Sequence, residues 1–197
     1  MPPLPSSSLD SALSLPFPEP EAAGAEDAGL VRQALEGRGQ AFDEIVRRHG
    51  PRLFRYLLQL VRHRQDAEDL TQQTFLKAYR HLASFDLSRP LIAWLLGIGR
   101  RTALNHFRAA RKWEPLTDQE AAGAAAPDSA AEARDLADNL WERARARLAP
   151  REFEVLWLRF GEDLSTKETA RVVGLTQPHV KILVYRAKQA LMKGAKP

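Results

Sequence analysis

Apolar side chains recur every three to four residues along most of the chain, which is the spacing of amphipathic helices. No alternating run of strand length occurs, so the predicted fold class is all-α. The pattern predicts a first group of helices near 27–36, 41–61, 66–82 and 90–110. It predicts a second group near 133–147, 150–160, 166–173 and 177–192.

Two stretches lack this periodicity. Residues 1–26 are rich in Pro and Ser, and residues 113–132 mix Ala, Gly and Pro with acids. Such compositions are typical of disordered tails and flexible linkers. The prediction is therefore two small helical domains, 27–112 and 133–194, joined by a flexible acidic linker, with a short tail at 195–197.

Charge is distributed in blocks. Residues 89–113 carry six basic residues and no acid, and residues 165–197 carry seven basic residues against Glu168. Between them, residues 114–142 carry eight acids against Arg134. Each basic block is either a solvated face or a binding surface for a polyanion. Because both blocks coincide with predicted helices, polyanion binding is favoured.

The composition predicts no metal and no cofactor. Cysteine is absent, and the five histidines lie far apart without ligand spacing. The longest apolar stretch, "LIAWLLGIG", is too short to span a bilayer. The N-terminus lacks the basic start and unbroken apolar run of a signal peptide, so a cytoplasmic location is expected.

The stretch "TKETARVVGLTQPHVKILVY", residues 166–185, has helix-turn-helix spacing. Ala170 is small where two helices cross, and Gly174 suits the turn because a positive φ is easiest for glycine. Thr176 is the predicted N-cap of the second helix, with Pro178 in its first turn. The alternative is an αα-hairpin within a bundle.

The second helix of this motif has two faces. The predicted buried stripe is Val180, Leu183, Val184, Ala187 and Leu191. The outward residues are Gln177, Pro178, Lys181, Ile182, Tyr185 and Lys188.

The stretch "DAEDLTQQTFLKAYRHL", residues 66–82, predicts an amphipathic helix capped by Asp66. The side chains expected to face the core are Ala67, Leu70, Phe75, Ala78 and Tyr79. A second face carries Asp66, Asp69, Gln72, Gln73, Leu76 and Arg80. Taken alone, this pattern is that of an ordinary amphipathic helix.

The following helix, in "RPLIAWLLGIGRRTALNHFRAARK", also has two faces. Its predicted apolar stripe is Ile92, Leu95, Leu96, Gly99, Ala103 and Phe107. Opposite lie Trp94, Arg101, Asn105, Arg108 and Lys112. An aromatic ring among cations and an amide suits unpaired bases and phosphates, although Trp94 as a core residue is the alternative.

These motifs together resemble those of bacterial RNA polymerase sigma factors of the extracytoplasmic-function (ECF) group, in the sigma-70 family. The resemblance covers about residues 27–194, with both domains in the family's order. It implies that 27–112 is sigma region 2, which binds core polymerase and reads and melts the minus-10 element. It implies that 133–194 is region 4, which reads the minus-35 element. The acidic linker would thread a basic polymerase channel as a nucleic acid mimic.

By position, the resemblance implies three sets of site residues. The core polymerase-binding set is Asp66, Asp69, Gln72, Gln73, Leu76 and Arg80. The minus-10 set is Trp94, Arg100, Arg101, Asn105, Arg108 and Lys112. The minus-35 set is Arg171, Thr176, Gln177, Pro178, His179, Lys181, Ile182 and Arg186.

The resemblance also implies the partners: core RNA polymerase, through its β′ clamp coiled coil and β flap, promoter DNA, and an anti-sigma factor. No membrane insertion is expected, and the chain is expected to be a monomer outside its complexes. Four positions depart from the family pattern, namely Gln73, Arg101, Ile182 and Leu183. Gln73 removes a negative charge from the face that is expected to bind polymerase. Ile182 and Leu183 are expected to make apolar contacts with the minus-35 bases in place of polar ones.

The predicted function is that of a sigma factor, which is not itself an enzyme. The alternative is a stand-alone helix-turn-helix regulator, which has no need for both a polymerase-docking helix and a melting helix. A hydrolase finds little support, because the sequence has no phosphate-cradling glycine loop and no nucleophile constellation.

Overall fold

The computed structural model describes residues 20–113 and 132–193, with side chains described for 24–109 and 140–193. Within these ranges the chain is helical and contains no strand, which confirms the all-α prediction. The described residues fall into two compact units, one on either side of the linker. Residues 1–19, residues 114–131 of the linker predicted at 113–132, residues 194–197 with the predicted C-terminal tail, and the side chain of Lys112 lie outside the described residues.

The first unit is a four-helix arrangement centred on its second helix. The helices are α1 (Pro20–Leu35), α2 (Gly39–Val61), α3 (Arg64–Arg80) and α4 (Leu91–Trp113), with a 3₁₀ turn at Leu82–Ser84. Helix α2 packs against α1, α3 and α4. The largest fully buried side chains of this unit are Val31, Ile45, Leu53, Tyr56, Leu57, Leu70, Leu91, Leu95 and Leu96.

Helix α1 begins at Pro20, seven residues before the predicted start and inside the stretch assigned to a disordered tail. Proline is well tolerated at the first helical position because its missing N–H needs no partner there. The residues that follow, "EAAGAEDA", are mostly strong helix formers. The tail prediction was therefore wrong for residues 20–26.

The turn between α2 and α3 corrects the predicted cap. Arg62 adopts a left-handed conformation with φ of 59° and donates its N–H to the Leu58 carbonyl at the end of α2. The N-cap of α3 is His63, whose Nδ1 accepts a hydrogen bond from the Asp66 backbone N–H at 3.3 Å. Asp66 is therefore not the cap but an acid in the first turn, where the helix dipole favours its charge.

Helices α2 and α4 cross closely at Gly99. A Cβ added to Gly99 would lie 2.9 Å from Leu53 Cδ1 and 3.5 Å from Leu57 Cδ2. Both leucines are fully buried, so the crossing leaves no free space beside the glycine. The same interior holds Thr74, whose hydroxyl donates to the Leu70 carbonyl at 2.6 Å and so stays satisfied away from water.

The second unit is built on an aromatic cluster. Its helices are α5 (Glu132–Arg147), α6 (Pro150–Leu156), α7 (Thr166–Val173) and α8 (Gln177–Lys193). Helix α6 continues as a π-helical turn over Trp157–Gly161, where an uninterrupted helix was predicted. The rings of Trp141, Phe153 and Trp157 lie 4.7 to 6.2 Å apart between centroids.

The predicted apolar stripes are correct at their centres and wrong at their edges. Tyr79 is 56% exposed and Phe107 is 40% exposed, although both were assigned to the core. Leu104 is also exposed, and α4 presents mostly exposed side chains beyond Ala103. The helical period therefore identified the facing stripe but not where the neighbouring helices stop covering it. Val184 and Leu191, also predicted buried, are half-buried.

Candidate functional site

The face of α3 predicted to bind polymerase is largely open to solvent. Five of its six residues are exposed: Asp69, Gln72, Gln73, Leu76 and Arg80. Leu76 is 60% exposed, and Tyr79, one turn further along the helix, is 56% exposed. The side chain of Asp66 is separated from this group, because its Oδ2 lies 3.6 Å from Nε2 of His106 on α4.

Gln72 and Leu76 line a groove between α2 and α3 that the sequence did not predict. The groove has a volume of about 840 Å³ and a mostly apolar lining. Its residues on α2 are Gly39, Phe42, Asp43, Val46, Gly50, Pro51 and Phe54. Its residues on α3 are Thr71, Gln72, Phe75, Leu76 and Tyr79. The exposed Tyr79 belongs to its wall, with its ring 4.9 Å from that of Phe42 in an edge-on arrangement.

The signal for this groove was present in α2. Besides the buried stripe that contains Ile45 and Leu53, the helix carries Phe42, Val46 and Phe54, which are only half-buried. This apolar stripe is wider than packing against a single core requires. Such a width indicates a second contact surface on the helix. The helical period was read for the core alone, and the additional apolar residues were missed.

The predicted minus-10 face lies on the outer side of α4. Arg101, Asn105 and Arg108 are exposed, and Arg108 Nη1 donates to Asn105 Oδ1 at 3.4 Å. Arg100 is half-buried. The structure thus brings two cations and an amide together on one exposed face.

Trp94 is half-buried at the start of α4. Its burial is intermediate between that of a core residue and that of an exposed ring available for base stacking, which were the two alternatives. Its ring lies 5.1 Å from that of Phe85, in the loop before the helix. This loop is held by Asp86, which accepts hydrogen bonds from the backbone N–H and hydroxyl of Ser88 and pairs with Arg89 at 2.8 Å. Trp94 therefore sits beside an ordered, exposed loop and still offers part of its ring to solvent.

The helix-turn-helix is formed as the sequence predicted. Helix α7 begins with a reciprocal pair of capping bonds, from the Glu168 N–H to Ser165 Oγ at 3.2 Å and from the Ser165 N–H to Glu168 Oε2 at 2.7 Å. It ends at Gly174, which has φ of 69°. Helix α8 follows Thr176, whose carbonyl accepts from the Val180 N–H at 3.1 Å, and Pro178 lies in its first turn.

Helix α8 has a buried and an exposed face, although Lys188, predicted to point outward, is half-buried. Val180, Leu183 and Ala187 are buried against the rest of the unit. All eight predicted minus-35 residues are exposed: Arg171, Thr176, Gln177, Pro178, His179, Lys181, Ile182 and Arg186. Ile182 is 50% exposed, so the apolar position that replaces a more polar family pattern faces outward.

A cleft beside α8 adds residues that the sequence analysis did not assign to the site. It has a volume of about 550 Å³ and is lined by Arg159, Phe160, Thr166, Lys181, Val184, Tyr185 and Lys188. Lys188 Nζ lies 4.6 Å from the centroid of the Phe160 ring. Arg159 was missed because it precedes the helix-turn-helix motif and lies in a segment with little net charge.

An exposed basic helix in a helix-turn-helix, together with a separate helical unit that carries an open apolar groove and a cationic face, defines a transcription protein that binds DNA. Two family models match the chain: Sigma-70 region 2 over residues 45–113 and Sigma-70, region 4 over residues 139–191. The region 2 match falls on the first structural unit and the region 4 match on the second.

Curated relatives agree with these matches. The RNA polymerase sigma factor CnrH of Cupriavidus metallidurans is 34% identical over 179 residues, which are 84% of this chain and 93% of that protein. The ECF RNA polymerase sigma factor BldN of Streptomyces coelicolor is 33% identical over 168 residues, or 83% of this chain. The chain spans 64% of the length of BldN. Among solved structures, CnrH in complex with the cytosolic domain of CnrY matches with a TM-score of 0.61 and 28% identity, over 87% of this chain and 99% of that one.

The chain belongs to the ECF group of the sigma-70 family. It is a sigma factor that directs RNA polymerase to promoters, and the region 2 match disfavours a stand-alone helix-turn-helix regulator. Sigma factors are in general initiation factors without enzymatic activity. Along the described part of the chain, no helix is both long and apolar enough to cross a bilayer.

Proposed function

We propose that the two units divide the work of promoter recognition. The first unit, from the domain predicted at 27–112, binds the β′ clamp coiled coil of core polymerase and engages the minus-10 element. The second unit, from the domain predicted at 133–194, binds the minus-35 element close to the β flap. The predicted linker at 113–132 joins them through the polymerase channel.

The observation that carries the docking assignment is the exposure of Leu76 above the apolar groove. Leu76 is 60% exposed in the free chain, beside the exposed polar side chain of Gln72. Fully burying an exposed leucine contributes about 1.5–3 kcal/mol, so a partner that covers the remaining 60% of Leu76 gains about 1–2 kcal/mol from it. The polar residues around Leu76 supply hydrogen bonds at the rim, as is usual for protein interfaces.

For the minus-10 element, we assign strand contacts to the exposed face of α4. Arg101 and Arg108 neutralise phosphates there, and Asn105 reads or holds an unpaired base. The half-buried ring of Trp94 stacks on a base at the edge of the melted region. The adjacent ordered loop limits the entropy lost when this face binds the strand.

For the minus-35 element, we assign base readout to the N-terminal part of α8. Gln177 reads adenine through its side-chain amide, and Ile182 contacts a thymine methyl group. Lys181 and Arg186 contact phosphates or base edges from the same exposed helix.

Three further assignments complete the proposal. The chain carries out no catalytic step of its own and works in the cytoplasm, where the polymerase is. An anti-sigma factor holds it inactive, by analogy with CnrH, whose solved structure contains the cytosolic domain of CnrY.

The docking assignment is tested with a matched pair of variants in the full chain. Leu76→Asp places an unpaired charge in the proposed interface and should weaken binding to core polymerase at least tenfold in a titration. Leu35→Asp is the control, because Leu35 is 51% exposed on α1 of the same unit and does not line the groove. Circular dichroism verifies that both variants are folded. Unchanged core binding by a folded Leu76→Asp variant would place the docking face elsewhere.

A further inference from the structure

Lys77 is a half-buried cation between α3 and α4 that belongs to none of the three assigned sets of site residues. Its ammonium donates a hydrogen bond to Thr102 Oγ1 on α4 at 3.1 Å. The Thr102 hydroxyl is buried and donates its own proton to the Ile98 carbonyl at 3.0 Å. An ammonium has three N–H donors, so the bond to Thr102 leaves two of them for other partners.

No carboxylate pairs with Lys77 in the described part of the first unit, where Thr102 Oγ1 is its one hydrogen-bond partner. Helix α2 shows the opposite arrangement, since Arg47 and Arg48 both pair with Glu44 at 2.6 Å. Residues 89–113 contain no acid, so α4 offers none to Lys77. The protein therefore leaves this charge without a counter-ion, although burial removes part of its hydration.

The bond to Thr102 holds the ammonium beside the exposed face of α4. Residues three or four apart on a helix are neighbours, with Cβ atoms about 5–6 Å apart. Asn105 follows Thr102 by three residues, and Arg101 directly precedes it. Both Arg101 and Asn105 are exposed. Lys77 therefore lies at the α3 edge of the face assigned to the minus-10 strand.

A cation at this edge suits a backbone phosphate. An ammonium is a compact point charge that binds phosphate, whereas the planar guanidinium also matches base edges through two parallel bonds. Arg101 and Arg108 likewise have no acid partner within the described ranges. The like charges of these three side chains are thus offset only when an anion binds, and a nucleic acid strand supplies one charge per nucleotide.

We propose that Lys77 is a phosphate-binding residue of the minus-10 interface, with its ammonium anchored on Thr102 and donating to the backbone of the strand bound on α4. The proposal rests on the function proposed for α4 and adds a contact from α3. Lys77 directly follows Leu76, so α3 carries the docking side chain and the phosphate contact on adjacent faces. Docking on polymerase then fixes the helix that supplies this contact.

The test uses holoenzyme assembled with the full chain and a promoter mismatched over the minus-10 region, titrated between about 50 and 200 mM salt. Lys77→Met removes the charge and keeps the apolar stem. It should weaken binding and make the slope of log affinity against log salt shallower by about 0.7, the value for one phosphate contact on a single strand. Lys77→Arg should restore the slope. Arg32→Met is the charge-matched control, because Arg32 is exposed on α1, and it should leave the slope unchanged.

The anchoring bond is tested by a double-mutant cycle. Thr102→Val removes the acceptor and should weaken binding, but it should cause no further loss when added to Lys77→Met. Thr74→Val is the matched control, because the Thr74 hydroxyl is also buried and donates to the Leu70 carbonyl but has no lysine partner. It should leave DNA affinity unchanged in both backgrounds. Full additivity of Thr102→Val with Lys77→Met would refute the anchor.

Titration of core polymerase separates the ways in which the proposal can fail. Lys77→Met should bind core polymerase as the starting protein does, and a matching loss of core binding would overturn the DNA contact. If Lys77→Met kept the full salt slope while Arg101→Met reduced it, the proposal would be overturned and the assignment of α4 would stand. If Arg101→Met also kept the full slope, the assignment of α4 and the contact of Lys77 would fall together.

Discussion

The close approach of α2 and α4 at Gly99 makes a prediction whose sign depends on two opposing effects. Gly99→Ala places a Cβ 2.9 Å from Leu53 Cδ1, 3.5 Å from Leu57 Cδ2 and 3.6 Å from Thr74 Oγ1. Carbon atoms in contact normally lie about 3.5–4.0 Å apart, so the Leu53 methyl group must move by about 0.6 Å or more. Leu53, Leu57 and Thr74 are fully buried, and the surrounding core leaves little room for that movement.

The expected change in the free energy of unfolding is the difference between the cost of overpacking and the gain in helix propensity. Overpacking a close-packed core costs about 1–3 kcal/mol. Replacing glycine by alanine inside a helix contributes about 0.5–1 kcal/mol of stability. Gly97→Ala isolates the second effect, because a Cβ added at Gly97 in the same helix meets nothing within 4 Å. Gly97→Ala should therefore stabilise the first unit, and Gly99→Ala should leave it about 1–3 kcal/mol less stable than Gly97→Ala.

Native-state hydrogen exchange measures this difference in the full chain. The slowest amides of α2 and α4 report the free energy of unfolding of the first unit. The amides of α7 and α8 serve as an internal reference, which neither substitution should change. If the two variants protected α2 and α4 equally, within about 0.5 kcal/mol, the close approach of α2 and α4 at Gly99 would be refuted.

Three further predictions concern the turn, the pH dependence and the DNA contacts. Gly174→Ala should destabilise the second unit by about 1–2 kcal/mol in the same exchange experiment, because its φ of 69° strains any residue with a Cβ, and Gly174→Asn should cost less. Hydrogen bonds from Arg47 and Arg48 lower the pKa of Glu44 to about 2 from 4.5, so its stabilising contribution is complete above pH 4.5 and is lost as the pH falls towards 2. Glu44→Gln should reduce the pH dependence of the free energy of unfolding of the first unit between pH 2 and pH 4.5. An unchanged pH dependence would contradict the ion pairs of Glu44 with Arg47 and Arg48. Gln177→Ala should cost about 1–3 kcal/mol at one minus-35 base, whereas Arg186→Ala should weaken all sequences equally and reduce the salt slope by about one phosphate contact. Titrating holoenzyme on minus-35 variants at two salt concentrations separates them, and intact base preferences in Gln177→Ala would refute the groove-facing assignment of α8.

Local signals in the sequence determined the elements of this protein and the form of its DNA-binding motif. The turn at Gly174 and the start of α8 before Pro178 were predictable because glycine and proline restrict their own backbone angles wherever they occur. The buried stripe through Val180, Leu183 and Ala187 was predictable because helical period alone places these side chains on one face. The exposure of the opposite face followed from the same geometry.

Only the tertiary structure decided where those faces meet and where they stop. Asp66 was assigned a capping role from its residue type, but the turn at Arg62 starts α3 earlier and makes His63 the cap. Tyr79 was assigned to the core from its spacing, but the distance between α2 and α3 leaves it on the wall of an open groove. Helical period is a property of one helix, whereas burial depends on the separation and length of its neighbours, which are set by the packing of residues distant in sequence.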